Sequence, residues 1–195
     1  MKNFDRRQFL AGASAAVGAA ALPAIANAEG SMQRPVRGIE GESAPELEFD
    51  YWIGSDGKPS SFSVKESMGK WVFLKCFQNW CPGCHKTGFP TLKAFADEFY
   101  GHPKVAMAGI QTVFEGYGSN TVEDVRKLQL RYELPLVMGH DAGNPNNHEL
   151  PSTMKNYRTG GTPWMILIAP DGKVVFNDFH VSPVRLIEFV RNNIA

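Results

Sequence analysis

Hydrophobic and polar positions change period several times along the chain, and each change marks an element. Residues 71–77, WVFLKCF, form a short apolar run of the kind a strand makes when both of its faces are covered. KVAMAGIQTVF (104–114) reads as a second such strand. Between them Phe89, Leu92, Phe95, Ala96 and Phe99 recur at spacings of three and four, the stripe of an amphipathic helix. Pro90 lies inside that stripe and is expected to kink it. Val122, Val125, Leu128 and Tyr132 define another apolar helix face, opened by Thr121 and Asp124 at capping-box spacing. HDAGNPNNHEL (140–150) reads as a loop, residues 152–157 as a short helix, and WMILIAPDGKVVF (164–176) as two strands around Pro170-Asp171-Gly172. Ser182 and Pro183 mark the start of a last helix with Leu186, Val190 and Ile194 facing inward. Upstream, LEFDYWI (47–53) has strand composition, and Asp56-Gly57 is a hairpin turn before SSFSV (60–64). The order is β-hairpin, β, α, β, α, short α, β, β, α. Its βαβ unit requires a parallel central pair, and its closing hairpin adds antiparallel strands.

The chain has 195 residues, enough for one domain with its own core, and a formal charge of zero. Nothing in that balance suggests a nucleic-acid partner or a polybasic membrane surface. Residues 1–28 stand apart. Arg6-Arg7-Gln8-Phe9-Leu10, an Ala/Gly-rich segment of low hydrophobicity and Ala26-Asn27-Ala28 together resemble a twin-arginine signal peptide, cleaved after Ala28. Left uncleaved, the same segment would serve as a membrane anchor. Cleavage would leave 17 basic and 19 acidic side chains, a formal charge of −2, in an exported and oxidising (periplasmic) compartment. Residues 29–43 lack periodicity and read as a flexible lead-in, with the folded domain spanning 44–195.

All three cysteines lie in KCFQNWCPGCH, residues 75–85. Cys81 and Cys84 flank Pro82-Gly83 at a strand-to-helix junction, which sets both sulfurs against the first helical turn. The free N–H groups there favour an anion, so a thiolate at Cys81 gains directly. Cys84, one turn further in, is placed to resolve a mixed disulfide. A zinc site needs two further ligands. There is no second cysteine pair, and His102, His140, His148 and His180 are scattered, so no metal site is assigned. A purely structural disulfide is disfavoured, because so short a loop removes little chain entropy. Cys76 falls on the opposite strand face from Lys75 and reads as a buried, inert thiol.

With Trp80-Cys81-Pro82-Gly83-Cys84, Thr162-Pro163 before the strand at Trp164, Ala44-Pro45, Asp56-Gly57-Lys58, Gly69-Lys70 and Pro170-Asp171-Gly172, the chain resembles the thioredoxin fold. More narrowly, it resembles the exported TlpA-like or redoxin branch of thiol–disulfide oxidoreductases. The likeness spans about residues 44–193. It implies an α/β, thioredoxin-like fold: a central mixed sheet flanked by helices, with an N-terminal β-hairpin extension. It implies a cis peptide between Thr162 and Pro163, facing the cysteines, and Trp80 as a partly exposed lid beside Cys81. It implies no cofactor beyond the redox-active Cys81–Cys84 disulfide, and cysteine-containing protein substrates, with electrons from a membrane thiol donor. The direction favoured by the resemblance is reduction.

Two departures stand out. Where thioredoxin itself carries a buried acid, six residues before the first cysteine, as proton acceptor for the second, this chain has Lys75. Facing the sulfurs, Lys75 would stabilise a thiolate and make the pair more oxidising; alternatively it snorkels to solvent. Glu115 is the candidate replacement acid or partner of Lys75, and His85 a candidate modulator of Cys81. Pro90 also comes one residue later after Cys84 than in the family, so the first helical turn is expected to be reshaped. Competing readings are a disulfide oxidant or isomerase, a thiol peroxidase, and a copper-binding metallochaperone. No Thr-x-x-Cys precedes Cys81, which counts against the peroxidase.

Overall fold

Strand β2 (Trp71–Phe77) is buried at every residue, as a doubly covered apolar run must be. The computed structural model, which describes residues 37–194, centres the sheet on it. Beside β2 lies β3 (Val105–Val113), parallel, and on its other side β5 (Trp164–Ile168), antiparallel. β4 (Val137–Ala142) pairs in parallel with β3, β1 (Tyr51–Ile53) antiparallel with β4, and β6 (Val174–Asp178) antiparallel with β5. The sheet therefore has six strands in the order β1-β4-β3-β2-β5-β6. It is the expected mixed sheet, with the parallel pair and the closing antiparallel hairpin where the pattern predicted them.

Helices α1 (Phe89–Phe99), α2 (Val122–Arg131), α3 (Ser152–Asn156) and α4 (Pro183–Asn193) flank it. The α1 stripe is buried as predicted, and its aromatic rings pack tilted against the sheet and each other: Phe95 lies 4.7 Å from Phe73 of β2 and 4.8 Å from Phe99, centroid to centroid. Alternation along β2 splits the core. Phe73 and Phe77 join the α1 face with both Cys81 and Cys84, while Val72, Leu74 and Cys76 join the opposite face with Tyr157 and Trp164. α2 opens with the predicted capping box, in which the Thr121 N–H donates to the Asp124 carboxylate at 3.0 Å.

Four expectations change. Pro90 sits in the first turn of α1, directly after a π-helical turn, Cys84–Gly88. The Phe89 N–H reaches back five residues to the Cys84 carbonyl, and this wider turn accommodates the proline ring. His140 and Asp141, read as loop, belong to β4. Their polarity is met by tertiary partners: His140 bonds Gln111 at 2.7 Å, and buried Asp141 accepts from Ser152 and Thr153 at the start of α3. The Asp56-Gly57 turn closes, with the Gly54 N–H on the Lys58 carbonyl, but residues 60–64 form no strand and the hairpin's second arm is one bridge, Ile53 to Pro59. Order also begins before Ala44. Ile39 is buried, Gly41 donates to the Val174 carbonyl at 2.8 Å, and Ser43 bridges Lys173, so this segment covers the open edge of β6. Residues 1–28, read as a signal peptide, lie outside the described residues, among which no helix is long and apolar enough to cross a membrane.

Phe95→Ala should cost about 3–5 kcal/mol of unfolding free energy, since it empties a site bounded by two rings. Urea titration of both proteins at one pH measures it.

Candidate active site

The chain leaves β2 at Phe77 and turns back through residues 78–81 to the helix start. Asn120, itself buried, fixes that turn. Its Oδ1 accepts the Asn79 N–H at 2.6 Å, and its amide donates to the Gly116 carbonyl at 2.9 Å. Asn79 returns a bond to the Ser119 carbonyl at 3.0 Å. Trp80, held between these two loops, is 46% exposed and lies over Gly116, where an added Cβ would come within 2.9 Å of the indole nitrogen. It occupies the exposed position expected of a lid.

All three cysteines are free thiols here. Cys81 retains 5% exposure and Cys84 none, so an incoming disulfide meets Cys81 first. The Cys84 backbone N–H donates to Cys81 Sγ at 3.2 Å, which is the predicted helix-start contact. The Cys81 thiol donates to the Thr162 carbonyl at 3.4 Å. The Thr162–Pro163 peptide is cis, and Pro163 packs on Gly83, whose missing side chain admits it: a Cβ there would lie 3.0 Å from the proline ring. Pro82 stays exposed at the turn.

Behind the sulfurs lies Lys75, fully buried rather than snorkelling to solvent. Its Nζ donates to the Cys76 carbonyl at 2.7 Å and reaches Cys84 Sγ at 3.9 Å. The faces of Phe89 and Phe77 lie 5.4 and 5.8 Å away. Burial holds the amine's proton affinity below the ordinary lysine range, and burial pushes the Cys84 thiol up to about 11, against the opposing pull of Lys75. Both displacements favour the uncharged forms.

Glu115 does not take the part foreseen for it. It is exposed in the loop after β3, and among the described residues its side chain has no hydrogen bond or ion pair; a solvated carboxylate gains nothing by leaving water for Lys75. His85 is directed elsewhere too. Its Nε2–H donates to the Asn79 carbonyl, which fixes the tautomer, and Nδ1 accepts from the Tyr132 hydroxyl at 2.6 Å. The ring thus ties α2 to the turn before Cys81. Cys76 is buried on the far face, its thiol pushed up to about 12 by burial. Among the described residues no group of three or more His, Cys, Asp and Glu side chains gathers as a metal shell would need.

Gly88 and Asn120 carry the site without having been singled out in the sequence, and Tyr132, read there as part of an apolar helix face, turns its hydroxyl to His85. A Cβ on Gly88 would come within 2.5 Å of Lys75 Cε and 2.7 Å of Nζ, so any side chain there would push the amine from its place. The signal available was a glycine directly before the amphipathic stripe.

No protein-family model matches the chain, and no curated protein matches it in sequence. Solved structures do. A thioredoxin-like superfamily protein is 27% identical with a TM-score of 0.68, over 78% of this chain and 96% of its own. A thiol-disulfide isomerase from Corynebacterium glutamicum is 27% identical with a TM-score of 0.66, over 78% and 97%. The thioredoxin domain of a thiol-disulfide oxidoreductase from Bacteroides vulgatus, 20% identical with a TM-score of 0.58 over 80% and 99%, shares the fold. With its mixed sheet, its Cys-Pro-Gly-Cys turn and the cis proline beside it, this chain is a thioredoxin-like protein. More narrowly, it is an enzyme of the thiol–disulfide oxidoreductase class.

Two outcomes follow. Cys76→Ala should leave thiol–disulfide exchange unchanged, measured by turnover of a disulfide substrate. Lys75→Met should stabilise the protein at pH 7. The unfolded chain keeps its Lys75 proton up to about pH 10.5, the folded chain gives it up earlier, and wild-type stability therefore rises with pH through that window. The advantage of Lys75→Met in urea should be smaller at pH 9 than at pH 7.

Proposed function

We propose that this protein exchanges its Cys81–Cys84 dithiol for the disulfides of cysteine-containing proteins in an exported, periplasmic compartment, and that it runs as a reductant. The observation that carries the reading is the asymmetry of the two sulfurs. Cys81 keeps 5% exposure and has a backbone N–H on its sulfur, and Cys84 lies fully sealed behind it. A thiolate at Cys81 attacks the substrate disulfide and forms a mixed disulfide. Cys84 then attacks Cys81 Sγ, releases the second substrate thiol and leaves the Cys81–Cys84 disulfide as the enzyme's own redox group, with no other cofactor. An extended substrate segment laid along Thr162, whose carbonyl lies 3.4 Å from Cys81 Sγ, would bring its disulfide to the nucleophile. Trp80 would cover that segment from the other side. The twin arginines and Ala26-Asn27-Ala28 support export, which in turn implies re-reduction by a membrane thiol donor.

One observation favours the reverse direction, a disulfide oxidant or isomerase. If the Lys75 amine carries charge in the reduced protein, its contact with Cys84 Sγ stabilises the dithiol form and raises the potential.

Reduction of insulin disulfides, followed by turbidity, together with a glutathione redox titration of the cysteine pair tests both readings. Wild type should catalyse reduction, Cys81→Ser should abolish it, and Cys84→Ser should accumulate the mixed disulfide. Undiminished activity of Cys81→Ser would overturn the exchange reading. A potential toward about −270 mV supports the reductant, and one toward about −120 mV the oxidant.

A further inference from the structure

We propose that the buried Lys75 amine is the proton acceptor for Cys84, so that this site resolves its mixed disulfide with a neutral base where an acid would otherwise serve. The inference rests on the exchange reading above and deepens it.

Lys75 Nζ lies 3.9 Å from Cys84 Sγ, within contact of the atom that must lose a proton. A second bond, to the Cys76 carbonyl at 2.7 Å, aims the amine from a rigid strand. The cavity it fills is made for it, since Gly88 leaves no side chain where Nζ and Cε pass. Neither sulfur nor amine has solvent contact, so no water outside the site can take the proton directly from Cys84.

Charge decides the resting form. An ammonium has three donors to satisfy, and here one carbonyl at 2.7 Å is the single strong acceptor, the sulfur lying at 3.9 Å and the two ring centroids beyond 5 Å. The ionisable groups that act on Lys75 are Cys84 from the π-turn and Cys81 from the preceding loop, with Cys76 behind it on the far face of its own strand, and no aspartate or glutamate stands among them. β5 and β3 set Met165 and Gly109 opposite it, and α1 contributes Phe89, none of which ionises. A permanent cation in that setting would be buried without a counter-ion, which is strongly unfavourable. An amine beside a thiol involves no buried charge, and the displacements of both groups toward their neutral forms agree with it.

In the mixed disulfide, Cys81 Sγ is bonded to the substrate sulfur. The Cys84 thiol passes its proton to Lys75 Nζ, giving a thiolate beside an ammonium, a pair with no net charge. The thiolate attacks Cys81 Sγ, the Cys81–substrate S–S bond breaks, and its electron pair leaves on the substrate thiolate. Cys81 and Cys84 are now joined. The ammonium, left without its partner, gives the proton to the departing thiolate or to water entering behind it. Re-reduction runs the same transfers backwards.

The test reads the two steps separately. Reduced protein is mixed rapidly with 5,5′-dithiobis(2-nitrobenzoate), which should release one thionitrobenzoate as Cys81 attacks and a second as Cys84 resolves. In Lys75→Met the first phase should be unchanged and the second slower by about 10²–10⁴-fold, the usual contribution of a positioned base, with its rate still climbing at high pH. Lys75→Glu separates proton acceptance from charge stabilisation: a carboxylate should restore the second phase, whereas a role as mere cation predicts a rate below that of Lys75→Met. An unchanged second phase in Lys75→Met, or no rescue by a folded Lys75→Glu, overturns the proposal. Should neither variant fold, the wild-type protein decides. With lysine side chains labelled for NMR, Lys75 should be neutral at pH 7.5 in the reduced protein and its titration should shift in Cys84→Ser; an ammonium in both proteins overturns it. Absence of the first phase in wild type would instead sink the exchange reading itself.

Discussion

A strand covered on both faces has nowhere to send a charged side chain except into the core, and that constraint organises this molecule. β2 runs between β3 and β5 and is buried from Trp71 to Phe77. Side chains alternate strictly along it, so Lys75 shares the face of Phe73 and Phe77. That face meets the helix start where the sulfurs are. The amine therefore ends at Cys84, and it has no path to water. What would elsewhere be a surface lysine becomes part of the redox chemistry because its strand sits at the centre of the sheet.

The elements around it are shaped to admit this side chain. The π-turn Cys84–Gly88 shifts the backbone ahead of Pro90 and brings Gly88 against the lysine. Pro163 packs on Gly83 from the side of β5 and sets the Thr162 carbonyl against Cys81. On the other flank, Asn120 and His85 join three segments, the turn before Cys81, the loop after β3 and the π-turn. These are hydrogen bonds to buried or half-buried backbone groups, which are costly to leave unmade. They give the two sulfurs different surroundings: Cys81 has a donor and some exposure, and Cys84 is sealed next to a base.

Most of the fold is legible in the chain because its signals are local. The apolar run of β2, the stripe of α1, the capping box of Thr121 and Asp124 and the Pro170-Asp171-Gly172 turn are each read from neighbours within a few residues. The elements that escaped are those whose polar letters are answered from far away. β4 hides behind His140 and Asp141, which look solvated until Gln111 and the start of α3 supply their partners. Residues 37–43 have no periodicity of their own, and become ordered by covering the edge of β6. The second arm of the N-terminal hairpin fails for the converse reason: β1 finds its neighbour in β4 and leaves SSFSV with a single bridge.

The site divides in the same way. The residues of Trp80-Cys81-Pro82-Gly83-Cys84 are adjacent in sequence, so the sequence by itself determined the cysteine pair, its place at a helix start and, with Thr162-Pro163, its class of chemistry. It also determined that Lys75 stands where an acid was expected and that Cys76 points the other way, since a period of two follows from backbone geometry alone. Tertiary structure decided the remainder. Whether Lys75 reaches solvent, whether Glu115 answers it and where the His85 ring turns all depend on which elements pack over each side chain. Burial and charge compensation are properties of the assembled sheet and helices, and no local pattern encodes them.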